Sequence, residues 1–292
     1  MLVLGDLSMQ TARLKANGRA FAHIAEFHPE LTALRRDLHA HPELGFEEVY
    51  TARRIKEALV LCGVDAVHEN IGKTGLVAVI KGQRNTHNHM VGLRADMDAL
   101  PMTEGNDFAW KSGKSGLMHG CGHDGHVAML VGAARYLAET RRFDGTAVLI
   151  FQPGEEGFAG ARVMIEDGLF EKFPMQAVYG MHNWPGMPAG TMAASAGPVM
   201  ASTSEFKITV RGKGGHAAMP HMGVDPVPIA CQMVQAFQTI ISRNKKPVDA
   251  GVISVTMIHT GEATNVVPDS CELQGTVRTF SFEVLDLIEK RI

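Results

Sequence analysis

MVGLRAD (residues 90–96), HVAMLVGAARYLAETR (126–141) and TAVLIFQP (146–153) decide the fold. The first and third are short apolar runs without polar alternation, which predicts strands buried on both faces. The segment between them carries apolar residues at helical spacing and is too long for a strand. Strands therefore alternate with helices, as in a layered α/β domain. Two further runs, TGLVAVIKG (74–82) and QAVYGMH (176–182), read as strands of the same kind. Upstream, LTALRRDLHA (31–40) and FEEVYTARRIKEALVLCG (46–63) read as helices, the second stopped by Gly63. Residues 1–28 have weak periodicity and are expected to form an N-terminal arm or leader helix.

The pattern changes at the small-residue, glycine-rich passage GPVMASTSEFKITVRGKGG (197–215). Beyond it, the strands FKITVRG, AGVISVTMIHTG and CELQGTVRTF alternate with the helices DPVPIACQMVQAFQTIISR and SFEVLDLIEKR in the order βαββα. That order is one strand short of a split βαβ unit. The expected fold class is therefore α/β. A layered domain over 29–198, with a mostly parallel or mixed sheet flanked by helices, is followed by a smaller α+β domain over 199–292.

Composition narrows the function. Among 292 residues, 28 Lys and Arg face 31 Asp and Glu, a formal charge of -3, so nucleic acid is not an expected partner. The four cysteines lack CxxC spacing, which excludes a disulfide framework or zinc knuckle and suits a reducing compartment. No stretch reaches the ~20 apolar residues of a membrane span and no signal pattern opens the chain, so the expected location is the cytoplasm, away from membranes.

The chemistry lies where the buried runs end. HGCGHDGH (119–126) puts Cys121 and His123 two residues apart before a helix, on one side if the backbone is extended, with Asp124 placed to cap that helix. FQPGEEG (151–157) ends another run with Glu155 and Glu156, adjacent carboxylates that repel unless a cation or proton compensates. At a metal, one such glutamate ligates while its neighbour takes a proton from water. His182 ends the run QAVYG, and Arg94, Asp96 and Asp98 end MVG. Taken singly, each segment has an ordinary reading as a glycine-rich turn, a solvated acidic turn, a packed histidine or a pair of capping residues. Together they bring thiol, imidazole and carboxylate to one edge of one sheet, where open α/β folds bind ligands. Such a donor set suits a borderline divalent ion such as Zn, Mn, Co or Ni.

HAHPELGFEE, RADMDALPMTE, HGCGHDGH, QPGEEG, GMHNWP, GKGGHAAMPH and TNVVPD together resemble the hippurate hydrolase and N-acyl-amino-acid amidohydrolase family, di-metal enzymes of the aminoacylase and carboxypeptidase group. The resemblance runs from about His28 to the end of the sequence. It implies two divalent metal ions held by Cys121, His123, Glu156 and His182, with Glu155 as general base. It also implies substrate contacts from His216, Asn265 and Arg278 in the smaller domain, which in the family is a lid and often a dimerisation surface. The small-molecule substrate implied is an N-acyl amino acid, and the partner implied is a second copy through the lid. The family pattern continues past Ile292 to another ligand histidine, so the expectation is a chain without the C-terminal part of the catalytic domain. The alternative is an impaired relative that binds metal or ligand, or pairs with an intact copy.

Overall fold

The computed structural model describes residues 11–12 and 18–292. The arm expected over residues 1–28 lies partly outside the described residues. From Gly18 onward it is helical: α1 spans Gly18–Ala40 and passes through Pro29 without ending. Proline costs a helix interior ~3 kcal/mol. Burial outweighs it here, because Phe27, Leu34 and Leu38 form an inward stripe and Leu31 packs beside them. Gly132, in the helix over His123–Thr140, lets that helix come close to α1, since a Cβ there would meet Leu31 Cδ1 at 2.7 Å.

Next come α2 (Val49–Cys62), β1 (Ala66–Glu69), β2 (Leu76–Lys81), β3 (Met90–Asp96), α3 (His123–Thr140), β4 (Thr146–Gln152), α4 (Gly160–Glu166), α5 (Leu169–Lys172) and β5 (Ala177–Gly180). The five strands form a mixed sheet in the order β1-β2-β4-β3-β5. β3 pairs in parallel with β4 and β5, whereas β2 runs antiparallel to β1 and β4. Both faces are covered. Leu76, Ala78, Ile80, Leu149 and Phe151 pack against α1, α2 and α3. Val77, Val148 and Ile150 pack with Met164, Leu169 and Phe173 of α4, α5 and the turn after them. That is why every residue of β4 is buried and its sequence shows no alternation. The C-terminal ends of β3, β4 and β5 point to one edge.

The chain divides into two compact units, one over Leu14–Gly190 and a second containing Thr191–Ile292. That unit contains β6 (Ser202–Arg211), β7 (Gly215–His216), α6 (Pro226–Thr239), β8 (Gly251–His259), β9 (Val266–Val267), β10 (Ser270–Thr279) and α7 (Phe282–Glu289). β8, β10 and β6 make an antiparallel sheet in that order, and β7 pairs with β9 as a short ribbon. Ala230 and Phe237 of α6 and Val284 and Ile288 of α7 pack on Ile253, Cys271, Leu273 and Val277. β10 alternates buried and part-exposed residues, as a sheet covered on one face requires. The main elements follow the order βαββα. Among the described residues, no helix is long and apolar enough to cross a membrane.

Candidate metal centre

Three ligand-bearing loops leave the edge formed by β3, β4 and β5. Asp96 closes β3 and Asp98 follows it, Glu155 and Glu156 follow β4, and His182 follows β5. The turn before α3 adds Cys121 and His123. This turn is not extended: Gly122 is left-handed, with φ 86°, and a Cβ there would meet the Asn183 side chain at 2.7 Å. Only glycine satisfies both the dihedral and the close approach. Asp124 does not cap α3, which has no side-chain cap. Its carboxylate accepts instead from His39 Nδ1 at 2.9 Å and Arg35 Nε at 3.2 Å.

Ligand atoms of Cys121, His123 and His182 lie within 4.8 Å of one another, as do those of His123, Glu155 and Glu156. His123 is common to both groups. Its Nδ1 donates to Asp98 Oδ1 at 3.2 Å, which leaves the lone pair on Nε2. That Nε2 is buried without a hydrogen-bond partner, 3.8 Å from Glu156 Oε1. The second imidazole is prepared in the same way. His182 Nδ1 donates to the Asn183 carbonyl at 2.7 Å, and its Nε2 lies 3.4 Å from Cys121 Sγ. Acceptors thus take both Nδ1 atoms and leave the two Nε2 atoms facing the centre, that of His123 unpartnered and that of His182 against the Cys121 thiol, the arrangement that metal-binding histidines adopt. Asp98 also accepts from the Glu156 backbone N–H at 2.9 Å through Oδ2, joining two ligand loops through one buried carboxylate.

Asp96, His123 and His126 form a third close group, but its Asp96 and His126 atoms are already engaged. His126 Nδ1 donates to Asp96 Oδ1 at 2.6 Å, while Nε2 accepts from the Asn183 backbone N–H at 3.0 Å. Arg94 Nη1 reaches Asp96 Oδ2 at 2.8 Å. Burial alone would raise the Asp96 carboxyl, but His126, Arg94 and His123 hold it down at about 2.

The electrostatics call for a cation. Burial, then the charges of Glu156, Glu155 and Asp96, push the Cys121 thiol up to about 12. Burial opposes charge on His123, yet Asp98 and Asp96 raise its pKa above the usual imidazole value. Burial and the neighbouring Glu156 charge raise the Glu155 carboxyl as well. The thiol, the His123 imidazole and Glu155 are therefore each biased toward holding protons that a divalent ion would displace. The orphaned Nε2, the thiol and the glutamates together fit such an ion.

The other expected residues lie in the second unit. His216 sits on β7 opposite Val266, its exposed ring accepting from the Ala218 N–H at 3.1 Å. Asn265 adjoins it, since its carbonyl accepts from the Ala217 N–H at 3.0 Å. Arg278 lies on β10, in a different sheet, with its guanidinium donating to Thr203 Oγ1.

Residues 92–275 match the model of peptidase family M20/M25/M40. The chain is 42% identical over 269 residues to the hippurate hydrolase of Campylobacter jejuni, covering 92% of this chain and 69% of that one. It is 40% identical over 267 residues to the N-acetylcysteine deacetylase of Bacillus subtilis, covering 91% of this chain and 69% of that one. A solved Bacillus subtilis structure, described as a dinuclear metal binding peptidase from M20 family, superposes with a TM-score of 0.74 at 38% identity. It spans 91% of this chain and 68% of that one.

Proposed function

The chain belongs to peptidase family M20/M25/M40, and from that membership we propose that it hydrolyses the amide bond of N-acyl amino acids or small peptides at a two-metal centre. One observation carries the reading: two imidazoles with their Nδ1 atoms engaged turn their Nε2 atoms toward one centre shared with a thiol and a glutamate pair.

Cys121, His123, Glu156 and His182 are the residues that would hold the ions. Divalent ions held there supply Lewis acidity, polarising the amide carbonyl and acidifying water. Glu155 is the general base. It makes no hydrogen bond within the cluster that would fix its carboxylate, whereas Glu156 is held through its backbone by Asp98. Its raised pKa suits a group that takes a proton from water and returns it to the departing amine. In the second unit, His216 and Asn265 share one ribbon and Arg278 offers a planar cation. We assign these three to the substrate's carboxylate and acyl carbonyl. Zn, Mn, Co and Ni all suit the donors. A cytoplasmic location agrees with four cysteines that are all unpaired. Pairing of two copies through the second unit would use the outer edges of β8 and β6, each bonded on one side in the three-stranded sheet.

The test is elemental analysis of the purified protein beside a panel of hippurate, acetyl and longer acyl amino acids, with and without Mn, Co or Zn. Release of free amino acid that depends on metal and stops on chelation is the expected result. Stoichiometric metal without turnover on any linear amide overturns the proposal.

A further inference from the structure

HAHPELGFEE contributes no ligand, yet it touches each of the three loops that leave β3, β4 and the turn before α3. His39, nearly buried, bonds Asp124 Oδ2 through Nδ1 at 2.9 Å and Glu104 Oε1 through Nε2 at 3.1 Å. Ionised carboxylates only accept, so each ring nitrogen faces an acceptor, and the Asp124 bond raises the His39 pKa above the usual imidazole value. Asp124 directly follows His123, so this bond holds the first turn of α3 and the Cys121–His123 turn that enters it. Glu104 lies in the long loop between β3 and that turn, and its other oxygen accepts from the Ser112 N–H at 2.6 Å. His39 therefore fastens both ends of the segment that delivers Cys121.

Glu48 does the same for the glutamate loop. It is fully buried, with Oε1 accepting from the Gly154 N–H at 2.8 Å and Oε2 from the Thr74 hydroxyl at 2.5 Å. Gly154 immediately precedes Glu155. A buried carboxylate without a cation is costly, and burial raises its pKa, so its position calls for a function. The backbone follows the same course. A Cβ on Gly45 would meet Phe158 at 2.5 Å and Gly154 Cα at 2.8 Å, and the rings of Phe46 and Phe158 meet edge-on at 5.8 Å. Between the two anchors, the Glu43 carbonyl accepts from the Ala99 N–H at 2.8 Å, next to Asp98.

We propose that the segment from His39 to Glu48 is the positioning element of the site, with His39 setting the Cys121–His123 turn and Glu48 setting the Glu155–Glu156 loop, neither touching the reacting atoms. The inference rests on the metal-hydrolase reading for its meaning but not for its main test, which uses the metal-free protein.

Amide hydrogen exchange is measured on the full chain as His39→Gln and Glu48→Gln. Glu48→Gln is expected to speed exchange over residues 153–158 by about tenfold or more, with 121–126 unchanged, and His39→Gln to do the reverse. Protection of Leu76–Lys81 and Thr146–Gln152 stays as in the parent in both. After loading, each variant should bind zinc about 10- to 100-fold more weakly in a chelator competition. Unchanged protection of the cognate loop, or faster exchange spread through the central strands, overturns the proposal. Should Glu48→Gln not fold, Glu48→Asp, whose shorter side chain cannot reach both Thr74 and the Gly154 N–H, is read in the same way. Lack of turnover in the parent would defeat the hydrolase reading while leaving the exchange result to decide this one.

Discussion

Asp98→Asn is the substitution that separates a prepared metal site from a chance cluster of polar groups. The Asp98 side chain is fully buried, and its two oxygens serve different ligand loops: Oδ1 orients His123 at 3.2 Å and Oδ2 receives the Glu156 N–H at 2.9 Å. An asparagine keeps the shape but has one acceptor and one donor group. If its NH₂ faces His123, the imidazole proton moves to Nε2 and the lone pair turns away from the centre. If the amide is flipped, the Glu156 N–H loses its acceptor. The first arrangement takes the Nε2 lone pair from the ion, and the second leaves a backbone N–H without its acceptor at about 1–3 kcal/mol, or roughly 5- to 150-fold in an equilibrium. Outer carboxylates behind metal-binding histidines contribute about 10- to 100-fold in affinity, which falls inside that range. Zinc competition against a chromophoric chelator measures the effect directly, with circular dichroism confirming the fold. Binding at parental affinity would refute the idea that Asp98 prepares His123.

Glu155→Gln is expected to retain parental metal content while turnover falls by about 10²–10⁴-fold, read by elemental analysis beside amino-acid release. The pH dependence follows from Asp96, whose carboxyl is held at about 2 in the folded chain. A depressed folded value stabilises above the unfolded value near 3.9 and loses that stability as pH falls toward 2. Asp96→Asn should therefore flatten the acid limb of denaturant midpoints of the metal-free protein between about pH 4 and 2, and an unchanged limb would assign it to other groups. Phe27→Ala is expected to cost about 3–5 kcal/mol in chemical denaturation, because the ring is 1% exposed in the core. A loss below about 1 kcal/mol would place residues 18–28 outside the cooperative unit.

The sequence displays the features set by local chemistry. Buried runs at β2 and β4 stand out because helices cover both sheet faces, and α3 stands out because its apolar spacing is helical. Ligand types at strand ends are visible for the same reason, since the sheet brings them to one edge. What stays hidden depends on contacts between distant residues. α1 crosses Pro29 because a buried stripe outweighs a local penalty, while a proline in the sequence marks a boundary. β1 is a part-exposed edge strand, AVHE, with little apolar signal. Asp124 has the chemistry of a helix cap, yet His39 and Arg35 claim it from 85 and 89 residues away. Gly122 looks like a spacer between two ligands, but its left-handed turn against Asn183 is what shapes the Cys121–His123 pair.

Anomalous diffraction from crystals grown with zinc or manganese tests the central claim most directly. The expected maps place metal density bounded by Cys121 Sγ, His123 Nε2, His182 Nε2 and the Glu156 carboxylate. Density elsewhere on the molecule, or a fully loaded protein whose His123 and His182 Nε2 atoms face away from the ions, contradicts the account.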